Sequence, residues 1–328
     1  MRPSFLARLV NGPLFDPAVF VRFLNRKTAF LFDCGRIENL SNREILSVGS
    51  LFISHLHMDH FVGFDHILRV ILHREMPLYI YGPEGTVDKV ISRLGSYTWN
   101  LTGGYPLEIV IHDVMEKEIV TCSARVDDGF ARRVPTTLPR QGATIAKGPF
   151  YGVDAFVLDH NVPCLGFVLK EAFHININAQ RVADLGYTTG PWIGLLKERI
   201  FAGSMDALID VSTNSGTRLI RVGELSDELV ITSPGQKMAY ITDIRASKSN
   251  LKIIMAFADA ADILFIETYY LEERWDEARR KAHLTAGEAG MVAGRIGAKK
   301  VVPMHISPRY HNRIHDIMRE LEAARTSA

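Results

Sequence analysis

Short apolar runs, rich in β-branched and aromatic residues, recur along the chain, and each stops at a polar, glycine, histidine or acidic residue. They occupy 28–32 before Asp33, 51–53 before Ser54, 78–81 before Gly82, 155–158 before Asp159, 238–242 before Asp243, 263–266 before Glu267 and 301–304 before His305. Their length and stop signals predict buried strands. Between them the apolar spacing changes to three and four residues. Phe64, Ile67, Leu68, Ile71 and Leu72 line one helix face, and 84–94 forms a second helix after Gly82-Pro83. A third spans 276–295 with His283 inside it, and a fourth spans 313–325 with Ile314, Ile317, Met318 and Leu321 on one side. Alternating strands and helices with reactive side chains at strand ends predict an α/β layered enzyme, whose rigid sheets fix the loops that do chemistry. The stretch 170–229 differs. It is rich in Gly, Ser, Asn and Asp, its apolar periodicity is weak, and Leu185-Gly186-Tyr187-Thr188-Thr189-Gly190-Pro191-Trp192 interrupts any regular element. It is read as an arm inserted into a single domain that spans 1–328.

The densest chemistry follows the second run. Ser54-His55-Leu56-His57-Met58-Asp59-His60 puts three imidazoles and a carboxylate within six residues of a strand end. Alternate residues of an extended chain share a side, so His55 and His57 can meet at one point while the following turn aims Asp59 and His60 at another. Neutral imidazole and carboxylate suit zinc, with manganese as the alternative. His160, Asp243 and His305 each end a strand-like run and complete the set. The expected wiring places His55, His57 and His160 on one ion, Asp59, His60 and His305 on a second, and Asp243 between them. One position is left for a bridging water or hydroxide that ionises near neutral pH. The competing readings are a satisfied core histidine for His160, a turn aspartate for Asp243 and a strand-ending histidine for His305. Asp33 also closes a strand, either as a carboxylate that orients a ligand imidazole or as a turn residue before Gly35.

Composition narrows the partners. The chain has 328 residues, 47% hydrophobic and 23% charged, which is ample for a core. Its formal net charge is only +1, so gripping a long nucleic acid would require a local basic patch. The three cysteines, Cys34, Cys122 and Cys164, form no Cys-x-x-Cys pair, which disfavours a disulfide framework or a thiolate zinc site. The N-terminus, Met1-Arg2-Pro3-Ser4-Phe5-Leu6-Ala7-Arg8, carries no long apolar run, and no segment reaches the roughly 18 apolar residues that span a bilayer. A soluble, cytoplasmic protein without a membrane partner is expected.

The residues His55-Leu56-His57-Met58-Asp59-His60 resemble the His-x-His-x-Asp-His signature of the metallo-β-lactamase superfamily. Further stretches resemble its ribonuclease Z group. Leu158–Phe167 is similar to a histidine followed by a Pro-x-x-Gly-aromatic segment, and Leu185–Lys197 to a Gly-Pro arm segment. His283-Leu284-Thr285-Ala286 is similar to a His-Ser-Thr motif, and His305-Ile306-Ser307-Pro308-Arg309-Tyr310 to a terminal His-Phe-Ser-x-Arg-Tyr. The likeness runs from about Phe30 to Tyr310. It implies the αββα four-layer sandwich with an inserted arm, a pair of divalent metals, and a homodimer whose arm reaches toward its partner's active site. It also implies Asp59 as general base, His283 at the scissile phosphate or leaving oxygen, Arg309 and Thr285 at the substrate, and Glu267 as a supporting carboxylate. Some family features are missing. The Gly-Thr-Gly stretch and the Pro-x-Lys-x-Arg-Asn loop are replaced by Leu9–Pro17, the Gly-Leu-Pro by Gly63-Phe64-Asp65, and the His-Glu-Ala-Thr by Ile266-Glu267-Thr268-Tyr269. The arm mixes Lys170, Arg181, Lys197 and Arg199 with Glu171, Asp184 and Glu198.

The leading expectation is a dinuclear-metal phosphodiesterase that cuts RNA, with precursor tRNA 3′ ends as a candidate substrate, by attack of a metal-bridging hydroxide. The alternative is a hydrolase of a small substrate on the same centre, such as a cyclic nucleotide phosphodiester, an arylsulfate or a lactone. Neutral net charge and the replaced N-terminal loop favour the alternative. A catalytically silent scaffold is disfavoured because every expected ligand position is filled.

Overall fold

A computed structural model describes residues 4–24 and 26–328; Met1–Pro3, part of the N-terminal reading above, lie outside the described residues. Eight strands form the first sheet in chain order: β1 (Phe5–Leu9), β2 (Val19–Phe23), β3 (Ala29–Phe32), β4 (Val48–Phe52), β5 (Leu78–Gly82), β6 (Glu108–Val114), β7 (Glu118–Arg125) and β8 (Thr136–Pro139). The second sheet uses β9 (Thr144–Lys147), β10 (Tyr151–Asp159), β11 (Pro163–Glu171), β16 (Lys237–Ile241), β17 (Ile263–Glu267) and β18 (Lys300–Met304), in the spatial order β18-β17-β16-β11-β10-β9. Each expected strand lies inside an observed one or overlaps it.

Alternation along the strands builds the layers. Phe30, Phe32, Phe52 and Tyr81 of the first sheet and Phe167, Met238, Tyr240 and Phe265 of the second share one core between the sheets. Their neighbours face outward. Leu31, Leu51, Ile80 and Ile111 pack under α1 (Asn42–Ser47), α3 (Phe64–Ile71) and α4 (Thr86–Leu94). Ala239, Ile241, Leu264 and Ile266 pack under α8 (Lys248–Ala258), α10 (Ala286–Arg295) and α11 (Ile314–Thr326). Strands buried on both faces read as continuous apolar runs, which is why they are legible in the sequence. The result is helix, sheet, sheet, helix.

Strand direction decides where chemistry can sit. β3 to β6 run parallel, as do β16 to β18, and β10 shares the direction of β16 because β11 is antiparallel to both. Their carboxyl ends therefore collect at one rim, the usual place for ligands in open α/β sheets.

Two sequence expectations change. The helix over 276–295 is two helices, α9 (Trp275–Lys281) and α10. Ala282 takes a left-handed φ of 57° and ends α9, and the hydroxyl of Thr285 caps α10 in a reciprocal pair with Glu288. His283 thus lies in a break and not on a helix surface. The stretch 170–229 is more regular than its periodicity suggests. Lys170 and Glu171 finish β11, and the segment then leaves through β12 (His174–Ile177) and returns through β15 (Val230–Ser233), which pair antiparallel. Between them lie α5 (Ala179–Asp184), α6 (Trp192–Phe201), the hairpin of β13 (Leu208–Thr213) with β14 (Gly216–Arg221), and α7 (Val222–Leu229). Val182, Trp192, Leu196, Val211 and Leu225 form a separate small core there. Its root is at the end of β11, the rim opposite the collected strand ends.

The loop after β4, which contains the short α2 (Met58–Phe61), is pinned by close backbone packing. The Cys34 N–H donates to the His60 carbonyl at 2.9 Å, and the Gly63 N–H donates to the Cys34 carbonyl at 2.9 Å. A Cβ on Gly63 would collide with the Gly35 carbonyl oxygen. Gly63→Ala is expected to cost about 1–3 kcal/mol through the forced shift, measured by urea denaturation; unchanged stability would show that this contact does not clamp the loop.

Candidate metal centre

Three residues at the rim adopt φ values that β-carbons disfavour: Asp33 at 53°, Asp243 at 48° and His305 at 52°. Each lies within two residues of a strand's end, after β3, β16 and β18. Such conformations cost of order 1–3 kcal/mol each and persist where the surroundings over-determine them. Here they bend three chain ends inward over the same point.

That point is the Asp243 carboxylate. Its Oδ2 lies 3.5 Å from Nε2 of His55, 3.4 Å from Nε2 of His60 and 3.5 Å from Nε2 of His160. Its Oδ1 lies 2.6 Å from Nδ1 of His305. His57 joins through its Nδ1, 2.8 Å from Nε2 of His55. On the other side, Oδ2 of Asp59 is 3.2 Å from Nε2 of His305 and 3.7 Å from Nε2 of His60. Donor atoms within 4.8 Å of one another fall into overlapping groups: His55, His57, His160 and Asp243; Asp59, His60 and His305; and Asp243, Glu267, His283 and His305. All seven expected ligands are brought together from strand ends spread over 250 residues.

The supporting contacts fix which ring nitrogen faces inward. Asp33 accepts from the Ser54 N–H at 2.6 Å and hydroxyl at 2.7 Å, from the Tyr240 hydroxyl at 2.6 Å and from Nδ1 of His60 at 2.8 Å. Nδ1 of His160 donates to the Ala282 carbonyl at 2.8 Å. Nδ1 of His283 donates to Oε2 of Glu267 at 2.8 Å, and Oε1 of Glu267 accepts from the Ile244 N–H at 2.7 Å. In each case the other nitrogen is left for the centre, as ligand histidines require. The donor set fits divalent cations: it is all imidazole nitrogen and carboxylate oxygen, and Nε2 of His60 is buried with no hydrogen-bond partner among the described residues.

Charge follows the same pattern. Burial opposes the charged form of His60, but the Asp243 and Asp33 carboxylates outweigh it and raise its pKa to about 10. Burial would raise Asp243, yet His305 and His60 hold it well below the carboxylate range. His55 is pushed down to about 2, first by burial and then by neighbouring His60. Burial also opposes protonation of His283, but Glu267 outweighs it and raises the ring above its ordinary value.

The two residues expected at the substrate have partners of their own. Thr285 is fully buried, its hydroxyl engaged in capping α10. Arg309 pairs with Glu277 at 2.8 Å and lies over the Tyr270 ring at 5.4 Å. Several residues that shape the centre gave no separate signal in the sequence. Tyr240 sits inside an apolar run, and Tyr269 stacks on His283 with centroids 4.1 Å apart and planes 12° apart. The connection 10–18 between β1 and β2 borders the centre: the Pro13 carbonyl accepts from the Ile306 N–H at 2.8 Å, and the Pro17 carbonyl from the Gly35 N–H at 3.1 Å.

Fold and site together define a metallo-β-lactamase-fold enzyme, a metal-dependent hydrolase. Residues 203–306 match a family described as the beta-lactamase superfamily domain. The chain is 31% identical to the ribonuclease Z of Deinococcus radiodurans, across 93% of this chain and 90% of that protein. It is 29% identical to the ribonuclease Z of Halorubrum lacusprofundi, across 99% and 92%. The fold matches the short form of human tRNase Z with a TM-score of 0.52 at 18% identity, covering 93% of each chain. It also matches a metallo-beta-lactamase fold protein, YhfI, of Bacillus subtilis, with a TM-score of 0.56 at 13% identity over 98% of this chain and 93% of that one. The chain belongs to the ribonuclease Z family.

Among the described residues no helix is long and apolar enough to cross a membrane. Asp33→Ala removes the acceptor that orients His60 and is expected to weaken divalent-metal affinity by about 10–100-fold, measured by competition titration with a chromogenic chelator. Unchanged affinity would relegate Asp33 to a turn residue.

Proposed function

We propose that this protein cleaves RNA endonucleolytically by phosphodiester hydrolysis, with precursor tRNA 3′ ends as its substrate class. The observation that carries this reading is the convergence of two donor groups on Asp243: its carboxylate belongs to the group with His55, His57 and His160 and lies 3.4 Å from His60 and 2.6 Å from His305 of the group with Asp59, in a chain of the ribonuclease Z family. His55, His57 and His160 would hold one divalent ion, Asp59, His60 and His305 a second, and Asp243 would bridge them, zinc being favoured over manganese by the ligand chemistry. Bound there, the ions supply a lowered pKa for water and charge stabilisation for the attacking and leaving oxygens.

The chain's own groups supply positioning and proton transfer. Asp59 is part-exposed, and its carboxylate is held ionised: burial opposes this, but the His305 hydrogen bond and the His60 charge outweigh it. It takes the proton of the attacking water at Oδ2. His283 keeps Nδ1 on Glu267, which leaves Nε2 to donate to the departing oxygen. Its raised pKa favours the protonated ring that this donation needs. Asp33 and Glu267 orient His60 and His283. The arm's root on the rim opposite the centre supports a homodimer in which one copy's arm serves the other's centre, each copy being a single domain over 1–328 with its arm.

Incubation of the metal-loaded protein with a 3′-extended precursor tRNA is expected to release the trailer and leave a 3′ hydroxyl on the tRNA. Hydrolysis of bis(p-nitrophenyl) phosphate or a lactone with no cut in RNA would transfer the assignment to a small-substrate hydrolase. His283→Ala is expected to lower single-turnover cleavage by about 10²–10⁴-fold with metal content unchanged; an undiminished rate would remove His283 from the reaction.

A further inference from the structure

On the rim that carries the arm, a groove of about 860 Å³ crosses the outer face of β1 and β2 and the start of β3, beside α1. Its walls carry Arg8, Arg22, Arg26, Lys27 and Arg43 against a single carboxylate, Glu44. In a chain of formal net charge +1 this is a concentrated positive surface. Arg8 is neutralised by Glu44 at 2.8 Å, and Arg26 reaches Glu198 of α6 at 3.0 Å, so one end of the groove abuts the arm. Arg22, Lys27 and Arg43 are exposed and have no acidic partner among the described residues.

The placement follows from strand register. Leu6 pairs with Arg22, and Arg8 pairs with Phe20. Arg8 and Arg22 therefore share the outer face as diagonal neighbours, roughly 7–8 Å apart at the backbone. The inward faces of the same strands, with Phe5, Val19, Val21 and Phe23, belong to the core between the sheets. The floor mixes Phe20 and the exposed Leu6 and Leu46 with the stems of these arginines. A row of fixed cations over a shallow, partly apolar floor suits a chain of phosphates and sugars, since guanidinium groups bind phosphate oxygens in paired geometry and need no particular base.

We propose that this groove binds the phosphodiester backbone of structured RNA, away from the cut. The groove starts at the first residues of β3, and Asp33 stands past its last, so roughly 13 Å of strand separates them. A mononucleotide at the metal centre cannot reach it, and a folded RNA can. The inference rests on the RNA reading above and adds a surface to which neither family membership nor the metal ligands assign a role.

The test is fluorescence anisotropy of the full chain with a labelled RNA hairpin carrying a 3′ extension, repeated over a range of salt. Arg22→Glu/Arg43→Glu is compared with Lys248→Glu/Lys252→Glu, which changes net charge equally on exposed positions of α8. Circular dichroism melting checks that both stay folded. The groove variant is expected to lose at least tenfold in affinity, and its log–log salt slope should fall by roughly 2 relative to the control pair, one phosphate contact for each lost cation. Equal affinities and slopes for the two variants would overturn the proposal, as would a wild-type protein that binds no RNA. Cleavage is scored separately. Groove-dependent binding without a cut keeps the groove and removes the proposed reaction, whereas equal cleavage and binding by both variants keeps the reaction and removes the groove.

Discussion

One buried carboxylate organises this protein. Asp243 sits 2% exposed with imidazole nitrogens of His55, His60, His160 and His305 arrayed around it. An isolated carboxylate in such a place would be strongly unfavourable, and it persists only with compensating positive charge. Either protonated imidazoles or divalent cations can provide that charge. This explains why His60 is raised to about 10 while Asp243 is held low. It also ties metal affinity to pH, because ligand nitrogens must release their protons to take up an ion.

The sheets exist in this form to make that convergence affordable. A point ringed by residues numbered from 55 to 305 can be reached only if the strands that deliver them end at the same rim. Parallel pairing of β3 to β6 and of β16 to β18 achieves this. The left-handed backbone at Asp33, Asp243 and His305 completes the turn inward. The same geometry sends β11 the other way, so the arm and the basic groove arise on the opposite rim. The proposed cutting and gripping sites are then separated by about the length of a strand.

Much of this was legible because a doubly buried strand leaves a simple trace: a short apolar run with its first polar residue at the rim. Asp33, His160, Asp243, Glu267 and His305 all come just after such runs. The break around His283 was hidden because good helix formers, Ala278 to Lys281 before it and Ala286, Glu288 and Ala289 after it, sustain a helical pattern. Yet Thr285-x-x-Glu288 is a capping box and marked the new helix start. Tyr240 was invisible for the opposite reason. Its ring counts as apolar within β16, and only the folded structure shows its hydroxyl on Asp33. The arm's core was unreadable because Trp192, Val211 and Leu225 come from three elements, with no single period between them.

The distribution of charge resolves the tension between a neutral chain and a polyanionic substrate. Counting charges over the whole sequence averages the paired surface around α9 and α11, where Glu273, Glu277 and Asp316 are taken up by Arg313, Arg309 and Arg319, with the unpaired Arg22, Lys27 and Arg43 on the far rim. Paired surface charges contribute little field beyond a Debye length of about 8–10 Å. Unpaired ones lining a concave surface reinforce one another. A net charge near zero is therefore compatible with a surface that attracts phosphate, provided the cations are left without partners where the substrate lies and the carboxylates that balance them lie elsewhere.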